Sequence, residues 1–145
     1  MKYYMGEGVG KTLLIELDRG EELFSGVEKV LEEEGIRNAY IASAVGSVAH
    51  LEYHRPLHMG EVTDDEMLSL EGPFEFGDIM GTVIDGVAHF HFSCGGVGGN
   101  HIGHLERGTT VLYLLELLVI ELKGFDLERK MTKENVKKLF LKNEG

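Results

Sequence analysis

The chain has 145 residues, the length of one ordinary domain, and its 43% hydrophobic content supplies a core without a disulfide or metal staple. Lysine plus arginine total 14 against 25 aspartates and glutamates, a net charge of −11 that opposes non-specific contact with nucleic acid or an anionic membrane, since both are polyanions. Cys94 is the single cysteine, which excludes an intrachain disulfide and fits a reducing compartment. The N-terminus has no apolar run of signal-peptide length, and the apolar stretch from Val111 to Leu122 contains two glutamates and is too short to span a bilayer. A cytoplasmic protein with no membrane partner is expected.

In chain order, a strand is predicted over Lys11–Asp18. Asp18-Arg19-Gly20-Glu21 then has capping-box spacing, and the following helix gathers Leu23, Phe24, Val27, Val30 and Leu31 on one stripe before Gly35 ends it. Strand-like stretches follow at Ala39–Val45, Ser47–His54, Met67–Glu71, Phe74–Ile84 and Val87–Cys94, with Asp85-Gly86 as a two-residue hairpin turn. Thr110–Lys123 reads as a strand, because Tyr113, Glu116 and Glu121 form no polar stripe at helical spacing. Thr132 is positioned to cap a short C-terminal helix through Leu141. The expected class is α+β: a mainly antiparallel sheet with one long helix packed on a face and a short C-terminal helix, in a single domain over 1–145 with its core at about 10–128 and a tail at 131–145.

The chemistry concentrates in Ala88-His89-Phe90-His91-Phe92-Ser93-Cys94. Side chains alternate along a strand, so Ala88, Phe90, Phe92 and Cys94 share a core face while His89, His91 and Ser93 share the other. The two imidazoles stand roughly 7 Å apart at the backbone and can converge on one ion. A glycine-rich turn, Gly95 to Gly99, then returns the chain to His101 and His104, either of which offers a third nitrogen. Nitrogen-only ligand sets favour zinc, copper, nickel or iron over magnesium or calcium. The competing reading is a pair of half-exposed histidines with no ion. Cys94 falls on the phenylalanine face and reads as a buried thiol. His50, Glu52 and His54 share one strand face, with His58 beyond; a solvated polar face is preferred there to a second ligand set. Gly6 to Thr12 resembles a phosphate loop but is followed by a strand, so no helix N-terminus would face a phosphate.

Several segments together resemble the PPC (plants and prokaryotes conserved) domain, a family of unknown function. They are Asp18-x-Gly-Glu-x-Leu23, Ser43-Ala-Val-Gly46, Glu71-Gly-Pro-Phe-Glu75, His89-x-His91, Gly103-His104-Leu105-x-x-Gly108-x-x-Val111 and Glu116. Ile102 departs from the family's Gly-Gly-His pattern, which keeps His101 as the alternative to His104. The resemblance implies an antiparallel α/β domain, a homotrimer and, in stand-alone prokaryotic members, a histidine-ligated metal. Plant members carry DNA-binding AT-hooks ahead of the domain; no such segment is present here.

The expected function is therefore a zinc-binding module held by His89, His91 and His104, oligomeric and of unestablished activity. A zinc hydrolase or lyase with Glu106 as base, and a regulatory scaffold, are the alternatives. Oligomerisation is also expected on physical grounds. Both faces of Val111–Leu122 are apolar apart from Glu116 and Glu121, and one helix covers only part of one face. Buried there, Glu116 would need a partner, with Arg107 or Arg129 as the candidates.

Overall fold

The computed structural model describes residues 1–142. Alternating apolar residues and hairpin turns build eight strands: β1 Gly8–Asp18, β2 Ala39–Pro56, β3 Asp65–Ile84, β4 Val87–Gly96, β5 Gly99–Leu105, β6 Thr110–Lys123, β7 Leu127–Met131 and β8 Lys137–Leu141. The helix α1 spans Leu23–Glu33. The main sheet runs β1-β6-β2-β3-β4-β5, and its strands pair antiparallel.

The α+β class with a long helix on a sheet face is corrected by this structure, which is predominantly antiparallel β. Among the described residues there is one helix, of 11 residues, and no C-terminal helix. Two local causes account for the difference. Glu21 reaches back to the Asp18 amide at 2.7 Å as a capping box would, but it closes a turn. The helix begins four residues later than Asp18 suggests, where the Glu22 carboxylate accepts the Ser25 amide at 2.7 Å. At the other end, Asn135 takes a left-handed conformation (φ 60°) and Thr132 donates its amide to the Val136 carbonyl at 3.0 Å, making the turn of a β7–β8 hairpin. A helix of that length is marginal on its own, whereas the hairpin pairs Leu127 with Leu141 and Arg129 with Leu139.

The predicted Asp85-Gly86 turn is present, with both residues at positive φ, 52° and 76°, as a tight hairpin between β3 and β4 requires. The strand stretches predicted on either side of Gly46, and of the Gly72-Pro73 turn, prove to be continuous long strands, β2 and β3.

The helical stripe Leu23, Phe24, Val27 and Leu31 is buried, and the Phe24 ring stacks on Phe90 at 5.4 Å. Phe90 and Phe92 of β4 point into this core with Ile79, Leu115, Leu117 and Val119.

One feature of the topology positions the site. The edge of β2 away from β3 pairs with β6 over Ala39–His50, then passes to β5 at Tyr53 and His54. Strands β2, β3, β4 and β5 therefore close on one another, which carries the end of β5 across the histidine face of β4.

Candidate metal centre

On β4, burial follows the two-residue period: Phe90, Phe92 and Cys94 are buried while His91 is exposed and His89 half-buried. The register of the next hairpin sets His104 directly opposite His91, with Gly103 opposite Phe92 and His101 opposite Cys94. His104 therefore shares the face of His89 and His91. The ligand nitrogens of the three all lie within 4.8 Å of one another. The rings are close: His89 stacks on His104 at 4.7 Å, and His91 is 5.3 Å from each of the other two.

His101 points to the opposite face. Its Nδ1 is 3.0 Å from the Tyr53 hydroxyl, and its ring packs edge-on against Phe74. Ile102 projects outward on the histidine side, paired opposite Ser93. Burial holds the Cys94 thiol protonated, pushing its pKa up to about 11.

His54 is the residue that sequence reasoning placed wrongly. It was expected on a solvated face with His50 and Glu52. It lies instead opposite His104 across the β2–β5 pairing, with the two rings stacked at 4.3 Å. Glu106 joins them: its Oε1 is 2.7 Å from His54 Nδ1 and 3.3 Å from His104 Nδ1. The second contact is within ion-pair reach but poorly aligned, so His104 Nδ1 remains a buried nitrogen with no hydrogen bond. His54, His104 and Glu106 form a second group with ligand atoms within 4.8 Å of one another. His50 is separate, held by Glu52 at 2.6 Å and Glu71 at 2.8 Å. The only cue to His54 in the sequence is its parity with His50 and Glu52; its meeting with His104 depends on a pairing 50 positions apart.

The electrostatics keep the imidazoles neutral. Burial lowers His89 to about 4, helped by repulsion from His104, Arg129, His91 and His54. Burial also lowers His91 and His104, with Glu106 opposing the shift at His104. A histidine with a depressed folded-state pKa refuses a proton that the unfolded chain accepts, so stability is full above about pH 6.5 and falls as the pH drops towards 4. His50, raised chiefly by its hydrogen bond to Glu52, acts with the opposite sign. Comparing metal-free wild type with His89→Ala cancels that term. The wild type is expected to lose more stability between pH 7 and pH 5, read from urea midpoints; equal losses would mean that His89 is not shielded.

A cleft of about 460 Å³ adjoins the cluster, lined by Met80, Thr82, His89, His91, Phe92 and Ile102.

The chain matches a known domain: the profile of the Plants and Prokaryotes Conserved (PCC) domain covers residues 4–123. The chain belongs to this family. It is the family, also abbreviated PPC, that the sequence motifs resemble. Among solved structures, a metal-containing protein of Archaeoglobus fulgidus is 29% identical, with 98% of this chain and 100% of that chain covered at a TM-score of 0.80. A plant- and prokaryote-conserved protein of Pyrococcus horikoshii is 27% identical, covering 94% and 95% at a TM-score of 0.79. A Bacteroides thetaiotaomicron protein provisionally named DNA-binding is 16% identical, covering 97% and 99% at 0.74, and shares the fold alone. A search of curated proteins finds no significant match. No helix among the described residues of this PCC domain is long and apolar enough to cross a membrane.

Proposed function

We propose that this PCC-domain protein binds a divalent transition metal, zinc first, through His89, His91 and His104, with a fourth position open to water or a ligand. The observation that carries the reading is the convergence of three neutral imidazoles within 4.8 Å on one face of the β4–β5 hairpin. Zinc held at about 2.0–2.1 Å from nitrogen places its ligand atoms roughly 3.4 Å apart, within reach of side-chain rotation. Glu106 stands 3.3 Å from His104 Nδ1, where metal-bound histidines ordinarily have a carboxylate behind them, and leaves Nε2 for the ion. The related protein of A. fulgidus is metal-containing, which supports the same direction.

Bound zinc would act as a Lewis acid on whatever takes the fourth position. The chain's own residues orient it: Glu106 is hydrogen-bonded to His54 and lies within ion-pair reach of His104, and the apolar cleft shields one side. Because Glu106 is engaged with imidazoles, it serves as an orienting group more readily than as the free base of a hydrolase or lyase. The net charge of −11 disfavours a nucleic-acid partner. Elemental analysis of protein equilibrated with zinc and then dialysed tests the reading: about one equivalent is expected per chain, as a three-histidine site requires. Retention of none would end it.

The assembly belongs to the same proposal. Leu14 of β1, Val45 of β2 and Leu114 of β6 lie on the outer sheet face at 73%, 52% and 41% exposure. Glu116 shares that face opposite Val45 and has no hydrogen-bond or ion-pair partner among the described residues; Arg107 pairs with Glu28 instead, and Arg129 with Thr82. An apolar face of this kind fits a closed homo-oligomer, and the family resemblance supplies the number three. Light scattering at micromolar protein is expected to give a mass well above the 16.1 kDa of one chain. A monomer mass would sink this part while leaving the metal reading intact.

A further inference from the structure

The hairpin β7–β8 lies beyond the segment matched by the family profile, yet it places one residue against the histidine site. Arg129 of β7 donates from Nη2 to Thr82 Oγ1 at 2.8 Å, and Thr82 is the cross-strand neighbour of His89. Thr82 and His89 both line the cleft beside the cluster. The Arg129 charge is felt at His89, where it helps to keep the imidazole neutral.

The chain has five arginines, and their partners differ instructively. Arg37, Arg55 and Arg107 each pair with a carboxylate, Asp85, Glu66 and Glu28. Arg19 lies over the Tyr113 ring. Arg129 alone is half-buried with a hydroxyl as its one partner; its Nε is buried with no hydrogen bond, and no carboxylate faces it among the described residues. In a protein with 25 acidic residues such a pairing is easily supplied, so a desolvated cation left without one is a cost that the fold does not offset by itself.

We propose that Arg129, with Thr82, forms an oxyanion subsite beside the histidine cluster, so that the molecule taken up there carries a carboxylate or phosphate group. The inference rests on the metal reading of the same site. The anion sits between two cations, the histidine-held metal and the guanidinium, and its apolar remainder fits the cleft against Met80, Phe92 and Ile102. Arginine suits this task because its planar fork matches the geometry of both oxyanions.

The test is calorimetric titration of the full-length, zinc-loaded protein with propionate and, separately, with inorganic phosphate. Wild type, Arg129→Met and Arg129→Lys are compared, with zinc content measured on the same samples. Wild type is expected to bind at least one of the two anions. Arg129→Met is expected to bind it about ten- to a hundredfold more weakly at unchanged zinc content, the loss of one charge-assisted hydrogen bond. Arg129→Lys, which keeps the charge, should fall between them and guards against a folding defect. A preference for propionate identifies a carboxylate ligand, and the reverse a phosphate. Equal affinities in wild type and Arg129→Met overturn the proposal, as does the absence of binding by wild type in the millimolar range. A lower assembly mass for Arg129→Met at unchanged anion affinity also overturns it, by giving the guanidinium to a carboxylate of a second copy. If wild type holds no zinc, the metal reading fails separately, and the same titration of metal-free protein still decides whether Arg129 binds an anion.

Discussion

Replacing His89 and His91 together with alanine is expected to cut bound zinc from about one equivalent per chain to less than about a tenth of one. Zinc sites with four protein ligands bind with about 10–16 kcal/mol, or roughly 3 kcal/mol per ligand, so two lost imidazoles correspond to about a ten-thousandfold loss of affinity. His54, His104 and Glu106 remain in the double variant as the second ligand group, but that set offers only two nitrogens, and its carboxylate is already engaged with His54, so it should hold the ion far more weakly. Two controls sharpen the result. His101→Ala should keep full zinc content, because that ring lies against Tyr53 and Phe74 on the other face of the hairpin. His50→Ala should keep it as well, because His50 is held by Glu52 and Glu71 away from the cluster. The metal-free double variant should stay folded, since His91 is exposed and the residues behind it, Phe90 and Phe92, are untouched. Full zinc content in the double variant would remove the assignment; loss in the His101 variant would move it to the other face.

A second large effect is expected at a residue that binds nothing. Gly103 precedes His104 on β5, where that strand leaves β4 for the end of β2. A Cβ there would lie 2.6 Å from the His54 carbonyl oxygen and 2.8 Å from Cδ2 of the Tyr53 ring. The carbonyl belongs to backbone and cannot swing away, and the Tyr53 ring is fully buried, edge-on to Phe92 at 5.2 Å. Gly103→Ala must therefore push β5 off β2. The overpacking should cost about 1–3 kcal/mol of stability. Displacing His104 from His89, His91 and Glu106 should weaken zinc binding by about ten- to a hundredfold, the range seen when supporting interactions around a metal are lost. A chelator competition gives the affinity and a urea titration the stability. Wild-type affinity in the variant would show that His104 does not depend on this close approach. The requirement also explains why glycine stands before this histidine: the need is space, since Gly103 has no positive φ.

These cases separate what a linear reading reaches from what it does not. The alternation along His89-Phe90-His91-Phe92 is a local property, because a strand turns each side chain by half a revolution per residue; the two faces of β4 were legible for that reason. Strand alternation alone left His101 and His104 both open, and only the family resemblance favoured His104, since the choice depends on the register of β5 on β4 and a shift of one residue would exchange their faces. The glycine-rich turn between the strands fits either register. His54 was less visible still. Its place in the site comes from an edge of β2 that changes partner from β6 to β5 along its length.

The helical content was overestimated for a related reason. Asp18 and Thr132 carry the local chemistry of helix caps, and that chemistry serves turns equally well. At Asp18 the carboxylate of Glu21 closes a turn; at Thr132 the left-handed Asn135 folds the tail back on β7.

By itself, then, the sequence determined the family, the strand-rich pattern of the chain, the core face of β4 and the pairing of two histidines opposite it. The family rests on short motifs in a fixed order, and the rest on periods of two residues, which neighbouring residues alone set. The tertiary structure decided which third histidine joins the pair, brought His54 and Glu106 behind it, turned the C-terminal segment from helix to hairpin and set Arg129 beside Thr82. Each of these depends on strand register or on contacts between distant segments, where the free energy of packing outweighs the local preferences of the chain.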